Sequence, residues 1–152
     1  MVKDVALSEI TLRKYEKPYG VDRRELIRKI CLSLGLLQPG DGRDVIVDVL
    51  MAIEEASKVK KSLNSEEIKK KVEEIRKQYN LEMKGVAESN LRRQIKRLRD
   101  IMLVEKKESL YNLTEFKTLD IIFEEKIEKF LIPQTVERIK EYLNEIEHPG
   151  GK

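Results

Sequence analysis

The sequence predicts a mainly α-helical protein that carries one short β-hairpin. Apolar residues recur at spacings of three and four through most of the chain, which is the period of an amphipathic helix. Segments 103–107 and 110–113 have the length of strands, and only Glu108 and Ser109 separate them. At 152 residues the chain is long enough for one domain with a core of its own and terminal appendages.

Residues 1–40 are predicted to form an arm followed by a helix. The arm, residues 1–20, lacks sustained periodicity, and its basic residues can either contact phosphates or let it wrap over protein. Asp22 and Glu25 occupy capping-box positions, and Gly35 suits the left-handed residue that ends a helix. The single cysteine, Cys31, lies on the apolar face of this helix, so we expect a buried core residue and no nucleophile.

The next segment is predicted to contain two further helices. Val45–Ile53 is almost continuously apolar and would suit a buried strand, but it runs into Glu54–Lys61 without glycine or proline. That continuity favours a buried helix, which Asp41 can cap. Asn64 and Glu67 then occupy the capping-box positions of a second helix.

The helix predicted over Ala87–Ile101 is the most informative element of the chain. Leu91, Ile95, Leu98 and Met102 recur at helical spacing and form one apolar stripe. The remaining faces carry polar and cationic side chains, namely Ser89, Asn90, Arg92, Arg93, Lys96, Arg97 and Arg99. A helix with an apolar back and a basic front can enter the major groove of DNA.

The residues around this helix follow a recognisable pattern. Gly85-Val86 precede the helix, Ser89-Asn90-Leu91 form its first turn, Arg93 and Lys96-Arg97-Leu98 follow, and Leu103-Val104-Glu105 and Tyr111–Glu115 form the hairpin. In these residues the segment from Arg43 to Glu115 resembles the winged helix-turn-helix transcriptional regulators. The resemblance implies a domain over residues 41–115 with a three-helix core, a recognition helix at 87–101 and a two-stranded wing.

The chain departs from the family pattern at two places. Met102 stands where a glycine usually ends the recognition helix. The wing is short, and its Lys106 and Lys107 are balanced by Glu105 and Glu108.

The resemblance and the residue chemistry together predict a dimeric regulator that binds specific double-stranded DNA. Arg93 and Arg97 can pair with guanine edges, Asn90 with adenine, and Ser89 with a base or a phosphate. The side chains better placed for backbone phosphates are Lys84, Arg92, Lys96 and Arg99, with Lys106 and Lys107 on the wing. The alternative is a winged helix that serves as a protein–protein interaction module in a transcription or chromosome-maintenance complex, which the net-neutral wing fits.

Residues 116–147 are predicted to form two dimerisation helices separated by Pro133, with a loose tail at 148–152. Their apolar positions, the expected homodimer interface, are Leu119, Phe123, Ile127, Phe130, Val136, Ile139, Leu143 and Ile146. The helix at 22–34 would contribute to the same interface. The competing arrangement is a monomer in which these helices fold back on the domain.

The composition argues against several other classes of protein. One histidine, His148, and one cysteine offer neither zinc-site spacing nor a Cys/His dyad, and no glycine-rich phosphate loop occurs, so we predict no enzyme and no cofactor. The absence of a signal peptide and of an apolar span predicts a cytoplasmic protein. Charged residues make up 39% of the chain, which suggests a thermophilic source. The sequence indicates no particular effector ligand.

Overall fold

The computed structural model describes residues 4–151 and confirms a mainly helical fold with one two-stranded antiparallel sheet. The first four helices are α1 (Arg23–Ser33), α2 (Val45–Lys58), α3 (Ser65–Gln78) and α4 (Glu88–Asp100). Strands β1 (Val104–Lys107) and β2 (Leu110–Leu113) follow, then a 3-10 turn (Thr114–Phe116) and a last helical stretch from Leu119 to Glu147. The first three residues of the predicted arm and the last residue of the tail lie outside the described residues.

Helix α2 forms the centre of the core and packs against α1, α3, α4 and β2. Val47, Val49 and Leu50 are completely buried, so the apolar run 45–53 is the buried helix that its length favoured. The expected cap at Asp41 is wrong. Helix α2 follows Asp44, and the Asp41 carboxylate instead accepts a hydrogen bond from the backbone N–H of Arg43 at 2.9 Å.

The predicted capping box is complete in α3 and half formed in α1, where only the Asp22 side chain takes part. The Asp22 side chain accepts a hydrogen bond from the backbone N–H of Glu25, and α1 ends before Gly35, whose φ is +72°. At α3, Asn64 and Glu67 each accept a hydrogen bond from the other's backbone N–H, which completes a capping box. These short-range signals therefore located both helix starts correctly.

The β-hairpin is tied to the helices by a bridge that the sequence did not predict. Leu63 pairs with Tyr111 through two backbone hydrogen bonds of 2.9 and 2.8 Å, in the loop between α2 and α3. A single bridged residue has no periodicity, so no sequence pattern marks it. The bridge fixes the start of α3 against the hairpin.

The N-terminal arm lies along its own subunit over the part that the structure describes. The Arg13 guanidinium donates to the carbonyl of Leu32 at 3.0 Å, and the Arg13 backbone N–H donates to Ser33 at 2.8 Å. Thr11 passes so close to Gly35 that a Cβ at that glycine would lie 2.5 Å from the Thr11 Cβ. The arm is therefore held against the end of α1.

A cluster of two arginines and two aspartates, all buried except the partly exposed Asp44, joins α1, α2 and α3. Asp48, which is completely buried, accepts from Arg24 Nε at 2.9 Å and from an Arg76 terminal nitrogen at 2.6 Å. Asp44 accepts from the same two guanidinium groups at 3.1 and 3.2 Å. Every charge in the cluster is thus paired by an opposite charge, as buried ions require.

The C-terminal region is one continuous helix, so the predicted division into two helices at Pro133 is wrong. Helix α5 (Leu119–Ile122) continues as a π-helical segment (Phe123–Leu131) and then as α6 (Ile132–Glu147). A proline inside a helix lacks an N–H donor, and its ring crowds the carbonyl four residues earlier. The wider π turns, with the Ile132 N–H bonded to the Ile127 carbonyl, precede Pro133 and accommodate its ring.

Candidate nucleic-acid interface

Helix α4 is held in the fold by its apolar stripe. Leu91 and Leu98 are completely buried and Ile95 nearly so, packed against α2 and α3. Met102 adopts φ +67° just beyond the helix, and the N–H of Leu103 donates to the Leu98 carbonyl at 3.1 Å. The methionine therefore takes the left-handed position that usually selects glycine, and it ends the helix in a Schellman arrangement.

The face of α4 opposite the stripe is exposed and carries most of the predicted contact residues. Ser89, Arg92, Arg93, Lys96 and Arg99 all lie on the surface. Arg92 pairs with Glu88 at 3.3 Å and Lys96 with Asp100 at 3.1 Å, each one turn away on the same helix. Within residues 4–151, Arg93 and Arg99 form no ion pair, so their full charge faces solvent.

Two of the predicted base-reading side chains are occupied by contacts within the protein. The Arg97 guanidinium donates to the Gln94 side chain at 2.9 Å and to the carbonyl of Gly35 at 3.4 Å. The Asn90 amide donates to the carbonyl of Gly85 at 2.8 Å. To read a base edge, the Asn90 amide or the Arg97 guanidinium would have to break these hydrogen bonds.

A cationic groove runs along one edge of α4, beside the loop that joins α1 to α2. Its volume is about 570 Å³. Four cations line this loop-side groove, namely Arg43, Lys84, Arg93 and Arg97, against a single carboxylate, Asp41. The excess of positive charge suits a groove that accepts a polyanion.

The groove on the opposite edge of α4, beside the hairpin, has nearly balanced charge. Its volume is about 660 Å³, and it is lined by Lys96, Arg99, Lys106 and Lys126 together with Asp100, Glu105 and Glu115. On the hairpin itself, Lys107 pairs with Glu105 at 3.7 Å and the Lys106 ammonium lies 5.8 Å from the centre of the Tyr111 ring. The positive potential is therefore concentrated on the loop side of α4.

The predicted dimer residues fall into two groups. Ile127 is completely buried in its own subunit, and Leu119 and Phe123 are partly buried against the same core, so these three pack on the domain as the competing fold-back arrangement expected. The other five remain exposed on the surface, namely Phe130, Val136, Ile139, Leu143 and Ile146. The first half of the C-terminal helix thus folds back on the domain, while α6 contains no buried residue.

The described part of the chain offers little evidence for a reactive cysteine, a metal site or a membrane span. Burial raises the pKa of the Cys31 thiol to about 12, which suits an inert core residue. No group of three or more His, Cys, Asp or Glu side chains within residues 4–151 is arranged to hold a metal ion. None of the helices described here has both the length and the hydropathy needed to cross a bilayer.

Comparison of the chain with protein-family models, with curated proteins and with solved structures gave no match in any of the three. A functional assignment therefore depends on the residues themselves. Sequence reasoning located the exposed cations of α4 because helical spacing separates them from the apolar stripe. It missed Arg43, because this residue lies in the loop between α1 and α2 and comes to the loop-side groove only when that loop folds.

Proposed function

We propose that this protein binds double-stranded DNA through α4, as a winged helix-turn-helix protein. In this proposal α2, α3 and α4 are the three-helix core, α4 is the recognition helix, and the β1–β2 hairpin is the wing. The packing of α4 on α2 and α3 and the Leu63–Tyr111 bridge support this arrangement. A role in transcription regulation follows from the resemblance of residues 43–115 to that family.

The observation that carries the proposal is the division of α4 into two chemically distinct sides. Leu91, Ile95 and Leu98 of the apolar stripe are enclosed in the core, so the orientation of the helix is fixed. The opposite side then presents Ser89 and Arg93 at its centre, and Arg93 carries no ion pair within the described residues. A central arginine on an exposed helix is well suited to bidentate contact with a guanine edge.

The flanking cations suit contact with the phosphate backbone. Arg43 and Lys84 line the loop-side groove next to Arg93, and Arg99 lies on the other edge of the helix. Arg92 and Lys96 are engaged only in exposed pairs one helical turn apart, which contribute about 0.3–0.5 kcal/mol each. A phosphate can therefore displace those carboxylates at little cost.

Replacing Arg93 by alanine tests the assignment directly. If Arg93 contacts a base, the variant should lose about 1–3 kcal/mol of binding free energy on a duplex selected from a random pool, and preference at one base position should relax. Arg138→Ala is the matched control, because Arg138 is an exposed arginine on α6 that pairs with Glu141. Equal affinities of the two variants would refute the role of Arg93.

A protein–protein interaction module remains the second candidate function. The observation that favours it is the internal pairing of Arg92, Lys96 and Lys107, which reduces the positive charge available to DNA. Exposed Met83 and Leu110 would also suit a protein partner. A protein of this kind should show little affinity for random duplex at any salt concentration.

A further inference from the structure

The apolar face of α6 is the largest feature that the DNA-binding proposal leaves unexplained. No residue of α6 is buried, although the helix carries four large aliphatic side chains on one side. Val136, Ile139, Leu143 and Ile146 are 43%, 54%, 59% and 77% exposed. A contiguous apolar face of this kind on a projecting helix marks an interaction surface.

These side chains follow a heptad pattern. Val136 and Leu143 occupy the a positions and Ile139 and Ile146 the d positions of two heptads. The spacings between successive residues alternate between three and four. This spacing is typical of a two-stranded coiled coil, in which a second amphipathic helix covers the apolar stripe. The partner that the pattern selects is therefore another amphipathic helix.

We propose that α6 pairs with α6 of a second copy of this chain, in an antiparallel arrangement about a two-fold axis. In this pairing Val136 packs opposite Ile146 of the second copy, and Ile139 opposite Leu143. The stripe is symmetric about Glu141, so all four layers are filled in the antiparallel register. Such a self-complementary contact is the usual form of a two-fold interface.

The charges beside the stripe select the antiparallel direction. Lys140 and Glu147 each follow an isoleucine of the stripe and occupy equivalent flanking positions. In an antiparallel pair these positions face one another. Lys140 of each copy therefore faces Glu147 of the other, and the interface contains two such pairs. In a parallel pair they would instead face Thr135 and Tyr142, which offer no opposite charge. Within residues 4–151 neither Lys140 nor Glu147 forms an ion pair.

The N-terminal arm enlarges the surface that the second copy would cover. Val5 and Leu7, which are 69% and 94% exposed, lie beside Ile139 and Tyr142 of α6. A helix approaching the stripe from the second copy would therefore contact the arm as well. This addition matters because two short helices alone bury less than the ~800 Å² per partner of a standard interface.

The pairing also places the two domains relative to one another. Ile132, where α6 begins, lies nine residues from the centre of the pair, and at 1.5 Å per residue the two domains would emerge about 27 Å apart along the helices. They would leave the helix pair at opposite ends. The interface does not depend on DNA binding, so either proposal can fail without the other.

The self-association is tested by sedimentation equilibrium of the full chain and two variants. Leu143→Glu places a charge in the stripe, and we expect the dimer dissociation constant to rise by about a hundredfold. Asn144→Glu introduces the same side chain one position away, on the outer face of the helix, and should leave the dimer dissociation constant unchanged. Circular dichroism checks that both variants keep their helices. A monomeric wild-type protein at micromolar concentration would overturn the proposal.

The direction of the pairing is tested by cysteine cross-linking. Val136→Cys and Ile146→Cys proteins are prepared separately, mixed and oxidised, and the joined peptides are identified by mass spectrometry. The native Cys31 is buried and does not compete. An antiparallel pair joins position 136 to position 146 across the mixture. Cross-links of each variant only to itself would show a parallel pair and refute the arrangement.

Discussion

At the scale of single residues, the cluster of Arg24, Asp44, Asp48 and Arg76 is where the loss of one side chain should cost the fold most outside the apolar core. It joins three helices, and each of its carboxylates accepts from both guanidinium groups. Sequence reasoning could not find it, because the partners are 20 to 32 residues apart and no local spacing links them. Only the packing of α1 and α3 on α2 brings them together.

Removal of the Asp48 carboxylate should destabilise the fold severely. Asp48→Ala leaves two buried guanidinium groups short of a counter-charge, and breaking a buried pair in this way costs about 3–5 kcal/mol. Chemical denaturation measures the change in the free energy of unfolding. Glu55→Ala is the control, since Glu55 is exposed on the same helix and should change stability by less than about 0.5 kcal/mol. Similar losses in both variants would contradict the role of the cluster.

The same cluster predicts sensitivity to acid. Burial alone would raise the pKa of Asp44, but the charges and hydrogen bonds of Arg24 and Arg76 outweigh it and hold the pKa below its usual value. Because the folded-state pKa is lowered, the contribution of Asp44 to stability is present above about pH 4 and is lost as the pH falls through the folded-state value. The unfolding free energy of Asp44→Asn should therefore fall less between pH 6 and pH 3 than that of the wild type. An equal decline would exclude Asp44 as a source of acid lability.

At the scale of elements, the sequence was most informative where local rules set the structure. Capping residues located the starts of α1 and α3, and apolar periodicity identified the buried side of α4. It failed where an element depends on distant or unusual backbone geometry. The Leu63 bridge needs the hairpin as its partner, and the helix continues through Pro133 because a π segment makes room for the ring.

The capping box of α3 gives a test at this scale. Asn64→Ala removes the acceptor for the N–H of Glu67, and we expect a loss of about 1 kcal/mol in the free energy of unfolding. Thermal or denaturant unfolding measures it, with Ser65→Ala, one residue into the helix, as the control. A variant as stable as the wild type would show that the Leu63 bridge alone fixes the start of this helix.

At the scale of the whole molecule, the chain separates a folded domain from a projecting helix. The first half of the C-terminal helix packs through Ile122, Ile127 and Leu131 into the core, while α6 leaves the domain with its apolar stripe uncovered. The sequence predicted apolar positions along this whole stretch, but periodicity alone does not say which of them meet the chain's own core. Charge is also distributed unevenly. Basic residues outnumber acidic ones on α4, and acidic residues outnumber basic ones along residues 114–147.

The salt dependence of duplex affinity tests the central claim most directly. The wild-type protein is titrated with a random duplex of fixed length at two or more salt concentrations. If the exposed cations of α4 and the loop-side groove contact about four phosphates per subunit, the logarithm of the binding constant should fall with the logarithm of salt concentration with a slope of roughly −4 per subunit. Absence of duplex binding at low salt, or an affinity that does not change with salt, would contradict DNA binding by α4.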